Sequence, residues 1–451
     1  MDVTANIARF VFAAKYEQMP PAAVQTAKTA VLDCLGVALA GSKEECAKVC
    51  ATLAHQEEGA GEEASVFGQG FKTSTLHAAF VNGTAAHALD FDHSFTLMGQ
   101  PTAPIIPALF SLGESIGASG RQLIEAYIVG FEVAAKLAHG LRAASESGWH
   151  GPGSLGGFGA GAACAKLLGL GAPQIEMALG IAASMAGGVV ANFGTMTKPL
   201  HVGFAARNGV LAAKLAQAGC TANPKGLEAA AGFFEMFYPG IQFDLAAIEE
   251  LGNSYALVTD GIKIKPYPCG GLTHIAIDSV LEIRAKHNLT ADLIDSIDVD
   301  VPKHTFDRIV FRVPQTGLQG KFCMNYLVAR AILEGKISLD IFTDAAVRDR
   351  RVLELAEKVQ MRLDPGLKTS DPGGRPCRVT LHMKNGATYV RQAEQAKGSP
   401  HFPLTPSELK AKFSECARQA LSESAGARAI DYVERLETLE TIKPLCQLLM
   451  A

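Results

Sequence analysis

From position 21 to about 219 nearly everything reads helical, with broad, Ala-rich apolar faces that imply helices buried on several sides. Pro21 opens a helix predicted over 22–40, with Val24, Ala27, Val31 and Leu35 on one side and Gly41 at its end. Ser119 and Gln122 have capping-box spacing ahead of a helix over 123–138 that Gly140 ends. A further helix is predicted over 205–218, stopped by Gly219. The longest weakly polar stretch, about fifteen residues over 177–191, contains Ser184, Gly187 and Gly188. It falls short of the ~20 residues a bilayer needs and reads as a buried helix.

The pattern changes near Lys263. Ile297, Val299 and Val301 alternate with polar residues, and 379–383 alternates in the same way. The turn Lys384-Asn385-Gly386-Ala387 leads on to 388–391, and Asn-Gly between alternating runs signals a hairpin. Thr405-Pro406-Ser407-Glu408 then restarts helix. The expectation is a mainly α protein: a large all-helical domain over 1–262, completed by 401–451, plus a smaller α+β domain over 263–400.

Composition narrows the class. The length of 451 residues favours two domains. Hydrophobic residues make up 48% and aromatics only 7%, with 45 glycines, so the apolar content is mostly small and suits closely packed helices. A net charge of −4 gives no basic field for nucleic acid and no Lys/Arg run for an anionic membrane surface. The first sixteen residues carry Asp2, Arg9 and Lys15 and no apolar signal core, so a cytoplasmic location is expected. Ten cysteines include no C-x-x-C, and Cys46 and Cys50 lack two further nearby metal ligands. Reduced thiols are expected.

Several segments carry candidate chemistry. Residues 151–156 match G-x-G-x-x-G, but 143–150 is no buried strand, so a dinucleotide site is rejected. At Ala85-Ala86-His87-Ala88-Leu89-Asp90-Phe91-Asp92-His93-Ser94-Phe95 a helical run ends in two aspartates and a histidine. They are read either as a solvated helix end or as a carboxylate in an apolar cleft tuned for proton transfer. Trp149-His150-Gly151-Pro152 lies in a Gly-rich loop before a helix, where backbone can approach an anion. In Phe193-Gly194-Thr195-Met196-Thr197-Lys198-Pro199-Leu200-His201, a lysine in apolar surroundings must meet a carboxylate of the protein or of a substrate. Lys263-Ile264-Lys265-Pro266-Tyr267-Pro268-Cys269-Gly270-Gly271-Leu272-Thr273-His274 falls where the helical part gives way to the α+β part, a place pockets favour.

Together, the blocks at 87–95, 148–156, 193–210 and 263–274 resemble, in order, those of the MmgE/PrpD family, and the resemblance covers nearly the whole chain. It implies a helical larger domain, a smaller α+β lid domain, a homodimer and no metal or organic cofactor. It also implies a small di- or tricarboxylate substrate. Members include 2-methylcitrate dehydratases, cis-aconitate decarboxylases and an iminodisuccinate epimerase. Carried over by position, Asp90 and His150 are the expected proton-transfer residues, and Lys198 and His274 the carboxylate binders. Ser94, Gln100, Thr197, His201, Lys265 and Tyr267 complete the expected substrate-binding set. Lys198, His150 and His274 are expected to supply positive charge to a substrate that loses a proton beside a carboxylate. Gln100 and Gly270 stand where the decarboxylases carry histidines. Decarboxylation is therefore expected to be disfavoured, and a cofactor-independent lyase of the dehydratase type is expected first. An epimerase comes second, and a non-catalytic scaffold is a third reading.

Overall fold

The computed structural model describes residues 2–57, 61–142, 148–368 and 374–450. The chain divides into two compact units, one of Met1–Lys263 with Thr405–Ala451 and the other of Ile264–Leu404.

The first unit is built on long helices: Pro21–Gly41, Thr75–Ala88, Thr102–Ile116, Gly120–Gly140, Gly156–Leu167 and Thr197–Gln217. Small residues set their spacing. A Cβ at Gly41 would lie 2.0 Å from the carbonyl oxygen of Ala85, and one at Gly203 would lie 2.2 Å from Thr84 Oγ1. Gly41 therefore serves close helix approach, as the last residue of its helix, rather than acting as a left-handed stop. The Ser119 capping box forms as the spacing predicts, and Thr405 caps Pro406–Ala417 in the same way. That last helix packs back on Pro21–Gly41, where a Cβ on Gly36 would lie 2.9 Å from Phe413.

Four expectations change. The unit is not all-helical: β1 (Ala64–Ser65) and β2 (Lys72–Thr73) form a two-stranded antiparallel ribbon. The helix predicted over 205–218 begins eight residues earlier, at Thr197, because a proline at its third position fits a first turn. The 177–191 stretch is not one helix; Ala172–Ala183 ends before the glycine pair and the chain runs on irregularly. Among the described residues, the helix long and apolar enough to cross a membrane is instead Pro21–Gly41, and 67% of its most apolar window is buried inside the protein. It carries Asp33, which two buried basic side chains engage, as suits a core helix of this unit.

The second unit holds a four-stranded sheet ordered β4-β3-β5-β6, from Val359–Leu363, Ile294–Val301, Cys377–Met383 and Thr388–Ala393. β3 pairs with β4 in parallel and with β5 antiparallel, and β5–β6 is the hairpin, with Gly386 at φ +84°. Ile297, Val299, Val301, Val379 and Leu381 bury one face against the helices His274–His287 and Met324–Glu334. The molecule is thus mainly α with a smaller mixed sheet unit. Cys46 and Cys50 are buried in the helix Glu45–Gln56.

Candidate active site

The helix Thr75–Ala88 starts on Ser74, whose hydroxyl accepts from His77 N–H, and delivers His87 at its last turn. Asp90, two residues on, has φ +53°, a left-handed conformation that aspartate tolerates better than most side chains. Its N–H bonds the carbonyl of His87 at 3.2 Å. This reversal brings Asp92 back under the helix, so both its oxygens meet His87 Nδ1 at 3.0 and 3.1 Å. Asp90 faces the other way and places Oδ1 3.1 Å from Lys198 Nζ. Lys198 stands in the first turn of Thr197–Gln217, with its ammonium 5.3 Å from the centre of the Phe193 ring. Its requirement for a carboxylate is met by the protein itself.

One turn further along, His201 Nδ1 lies 3.3 Å from His150 Nδ1. Two facing ring nitrogens at that distance require one N–H donor and one bare acceptor, so the two neutral imidazoles take opposite tautomers. His87 lies 5.3 Å and His201 5.4 Å from His150 between ring centres, and Phe193 meets His150 edge-on at 5.0 Å. Burial, then the neighbouring His87, Lys198 and His201, push His150 down to about 2, against the pull of Asp90. Burial, then the neighbouring His87 and Lys198, also lower His201. The expectation that His150 supplies positive charge is therefore corrected: it is a neutral imidazole at pH 7, and Lys198 is the ammonium beside it.

The other expected residues of this unit lie around that centre. Ser94 exchanges two backbone hydrogen bonds with Lys263, at 3.0 and 2.8 Å. Gln100 is half-buried in the turn whose neighbour Gly99 abuts Pro152, just past His150. Thr197 is the first helical residue before Lys198, and its N–H bonds Thr195 Oγ1. Residues 151–154 form a helical turn, preceded at Trp149 by a single bridge to Val189; 143–147 lie outside the described residues.

Within the second unit, Tyr267 donates to Asp278 at 2.7 Å, and the Tyr267 and His274 rings meet edge-on at 5.3 Å. His274 opens its helix and donates from Nε2 to the Cys269 carbonyl at 3.2 Å. Lys265 is buried in the same segment.

Sequence reasoning missed His87 and Asp92 as a pair, and Phe193. Among the described residues, His87, Asp90 and Asp92 are the one group spaced to hold a metal ion, with ligand atoms within 4.8 Å of one another. His87 is already bonded to Asp92 and the Lys198 ammonium lies on Asp90, so these groups have partners within the protein and fit a cation poorly.

A mainly helical chain with a smaller mixed-sheet unit and a lysine–aspartate–histidine cluster defines a class, and comparison supplies it. The model of the MmgE/PrpD N-terminal domain matches residues 5–246, and that of the C-terminal domain matches 267–438. The chain belongs to the MmgE/PrpD family and is an enzyme of the lyase type. It is 29% identical to a cis-aconitate decarboxylase of Mus musculus, over 99% of this chain and 93% of that one. It is 28% identical to the human cis-aconitate decarboxylase, over 99% and 94%. Against the cis-aconitate decarboxylase of Aspergillus terreus the figures are 27%, 99% and 96%. With relatives of that name matching end to end, the expectation that Gln100 and Gly270 disfavour decarboxylation does not hold.

Proposed function

We propose that the protein is a lyase that breaks a bond beside a carboxylate of a small tricarboxylate, with decarboxylation of cis-aconitate or a close analogue as the first reading. The observation that carries it is the half-buried Lys198–Asp90 pair set against the neutral His150–His201 pair. An ion pair that water still reaches is held by only about 1 kcal/mol, so a substrate carboxylate can take the place of Asp90 on Lys198. As CO2 departs, the electron pair of the broken C–C bond stays on the remaining skeleton, beside a carboxylate. The Lys198 ammonium balances that charge, and a proton passed between Asp90, now released from Lys198, and His150 then closes the carbon. A bound polyanion raises the proton affinity of His150, so the imidazole that is neutral without ligand becomes the proton carrier with it.

Dehydration of a hydroxy tricarboxylate is the second reading. It uses the same cluster, with proton removal beside the carboxylate and loss of hydroxide. Lys265, Tyr267 and His274 enter this proposal as carboxylate binders from the second unit, which the family resemblance describes as a lid. A homodimer located in the cytoplasm and needing no metal or organic cofactor completes the reading.

The test is proton NMR of the purified protein in heavy water with cis-aconitate, 2-methylcitrate, citrate and iminodisuccinate. Loss of cis-aconitate with appearance of a decarboxylated, deuterated alkene supports the first reading. A new alkene from a hydroxy acid supports the second. Deuterium entering beside a carboxylate of an unchanged skeleton replaces both with an epimerase. Silence across the panel rejects the proposal.

A further inference from the structure

Behind the Asp90 turn lies a second charged cluster that the chemistry above does not use. Asp33, in the middle of the helix Pro21–Gly41, is buried, with its Oδ1 2.6 Å from Lys412 Nζ. Its Oδ2 accepts from His93 twice, from the backbone N–H at 3.1 Å and from Nδ1 at 2.9 Å. His93 Nε2 continues to Thr102 Oγ1 at 2.7 Å, and that oxygen to Tyr127 OH at 2.7 Å. Lys412 also donates to the carbonyl of Phe91 at 2.9 Å, with its ammonium 3.9 Å from the Phe91 ring centre. Burial pushes the Asp33 carboxyl up, but Lys412 and His93 outweigh it and hold the group ionised.

These bonds fall on the residues flanking Asp90. The left-handed backbone of a non-glycine residue persists only where its surroundings over-determine it. Phe91 is held at its carbonyl and its ring, Asp92 by His87, His93 at backbone and side chain, and Ser94 by Lys263. We propose that Lys412, returned to the first unit by the last segment of the chain, is a positioning residue: through Phe91 and Asp33 it holds the 90–94 turn so that Asp90 meets Lys198. It touches neither Lys198 nor the histidines in any bond described above, and it acts on the chemistry only through the turn. The inference rests on the proposed function for its kinetic consequence, but not for its structural one.

The experiment compares three variants of the full chain. Lys412→Met removes the charge, Lys412→Arg keeps it, and the double variant Asp33→Asn with Lys412→Met leaves no lone buried carboxylate. Amide hydrogen exchange by mass spectrometry is read on the peptide covering 89–95 and, as a control, on β3 of the second unit. In the double variant the expected result is a thermal midpoint near that of the parent, with exchange over 90–94 faster by about tenfold or more. Exchange in β3 stays unchanged. On the substrate the panel identifies, kcat falls about 100-fold while KM moves less, and Lys412→Arg restores most of it. Unchanged exchange over 90–94, or a fall in kcat that only tracks the folded fraction, overturns the proposal. If the parent protein turns over no tricarboxylate, the proposed function fails, and the exchange rates alone decide whether Lys412 holds the turn.

Discussion

Two lysine–aspartate pairs of the first unit, Lys198–Asp90 and Lys412–Asp33, look alike in sequence terms and differ in physical character. Lys198–Asp90 is separated by 3.1 Å, with the side chains 18% and 16% exposed. Lys412–Asp33 is separated by 2.6 Å, with 6% and 0% exposed. Every partner of the second pair is fixed by the core: a histidine with two bonds, a backbone carbonyl and an aromatic face. The first pair has histidine rings and Phe193 for neighbours and water within reach. A buried pair is costly to break and useful for holding a shape; a half-buried one is cheap to exchange and useful for binding. The difference separates the scaffold of the site from its working face.

That contrast is sharpest in stability. Lys412→Ala strands Asp33 in the core and is expected to cost about 3–5 kcal/mol in urea unfolding. Lys198→Ala leaves Asp90 at a solvent-accessible edge and is expected to cost about 0–1 kcal/mol. Calorimetric binding of citrate or cis-aconitate is expected to invert the order, with Lys198→Ala losing at least about tenfold in affinity. Equal stability losses would mean that Lys198–Asp90 is a structural pair, and the binding argument would fall with it.

A third buried carboxylate tests whether partners, rather than depth, decide ionisation. Glu132 is as buried as Asp33, but its ion-pair partner, Lys136, is 3.5 Å away, and its carboxylate also accepts the Ala256 N–H at 2.7 Å. Burial outweighs these and raises the carboxyl to about 7. The sign follows from linkage: the folded state holds this proton where the unfolded chain has released it. Glu132 therefore lowers stability progressively as pH rises from about 4.5 to 7, by roughly 2–3 kcal/mol at the upper end. His150, kept neutral, has the opposite slope below its ordinary 6.5, losing stability as pH falls, so the parent curve alone mixes the two. Subtracting it from that of Glu132→Gln isolates the glutamate: the variant's advantage should grow between pH 4.5 and 7. Parallel curves would show that Lys136 holds Glu132 ionised after all.

How far the sequence carried follows the same division. The Ser119 and Thr405 caps, the Asn385-Gly386 hairpin and the alternation at Ile297, Val299 and Val301 are local signals, and they stand in the structure as read. The need of Lys198 for a carboxylate was also legible, because desolvation of a lysine in apolar surroundings is a property of its neighbourhood. Which carboxylate answers it was not: Asp90 lies 108 positions away. The Asp92–His87 contact depends on a backbone reversal at Asp90 that alternation and helix period do not encode. Lys412 reaches Phe91 across 321 positions, and on its own helix it reads as one more polar residue. His150 looked like a cation in sequence and is neutral in structure, since its state is set by burial and by three basic groups gathered from distant segments.

The smallest predicted effect asks whether Asp90 is where it is for folding or for chemistry. At φ +53° an alanine pays about 1 kcal/mol for its Cβ, while glycine pays chiefly in unfolded-chain entropy. Asp90→Gly also loses the accessible pair with Lys198, so its stability should lie within about 1 kcal/mol of the parent. Asp90→Ala should be less stable than Asp90→Gly by about 1 kcal/mol, the reverse of the order expected inside a helix. Turnover of the identified substrate should drop by about 100-fold or more in both, because neither replaces the carboxylate. Urea unfolding and steady-state rates on the two variants measure each half separately. If Asp90→Gly were much less stable than the parent, the Lys198 pair would be holding the turn together from the front. The division between a holding pair and a working pair would then have to be redrawn. If both variants kept their rate, the carboxylate would be a partner for Lys198 only in the unliganded protein, and the proton would have to travel through the histidines alone.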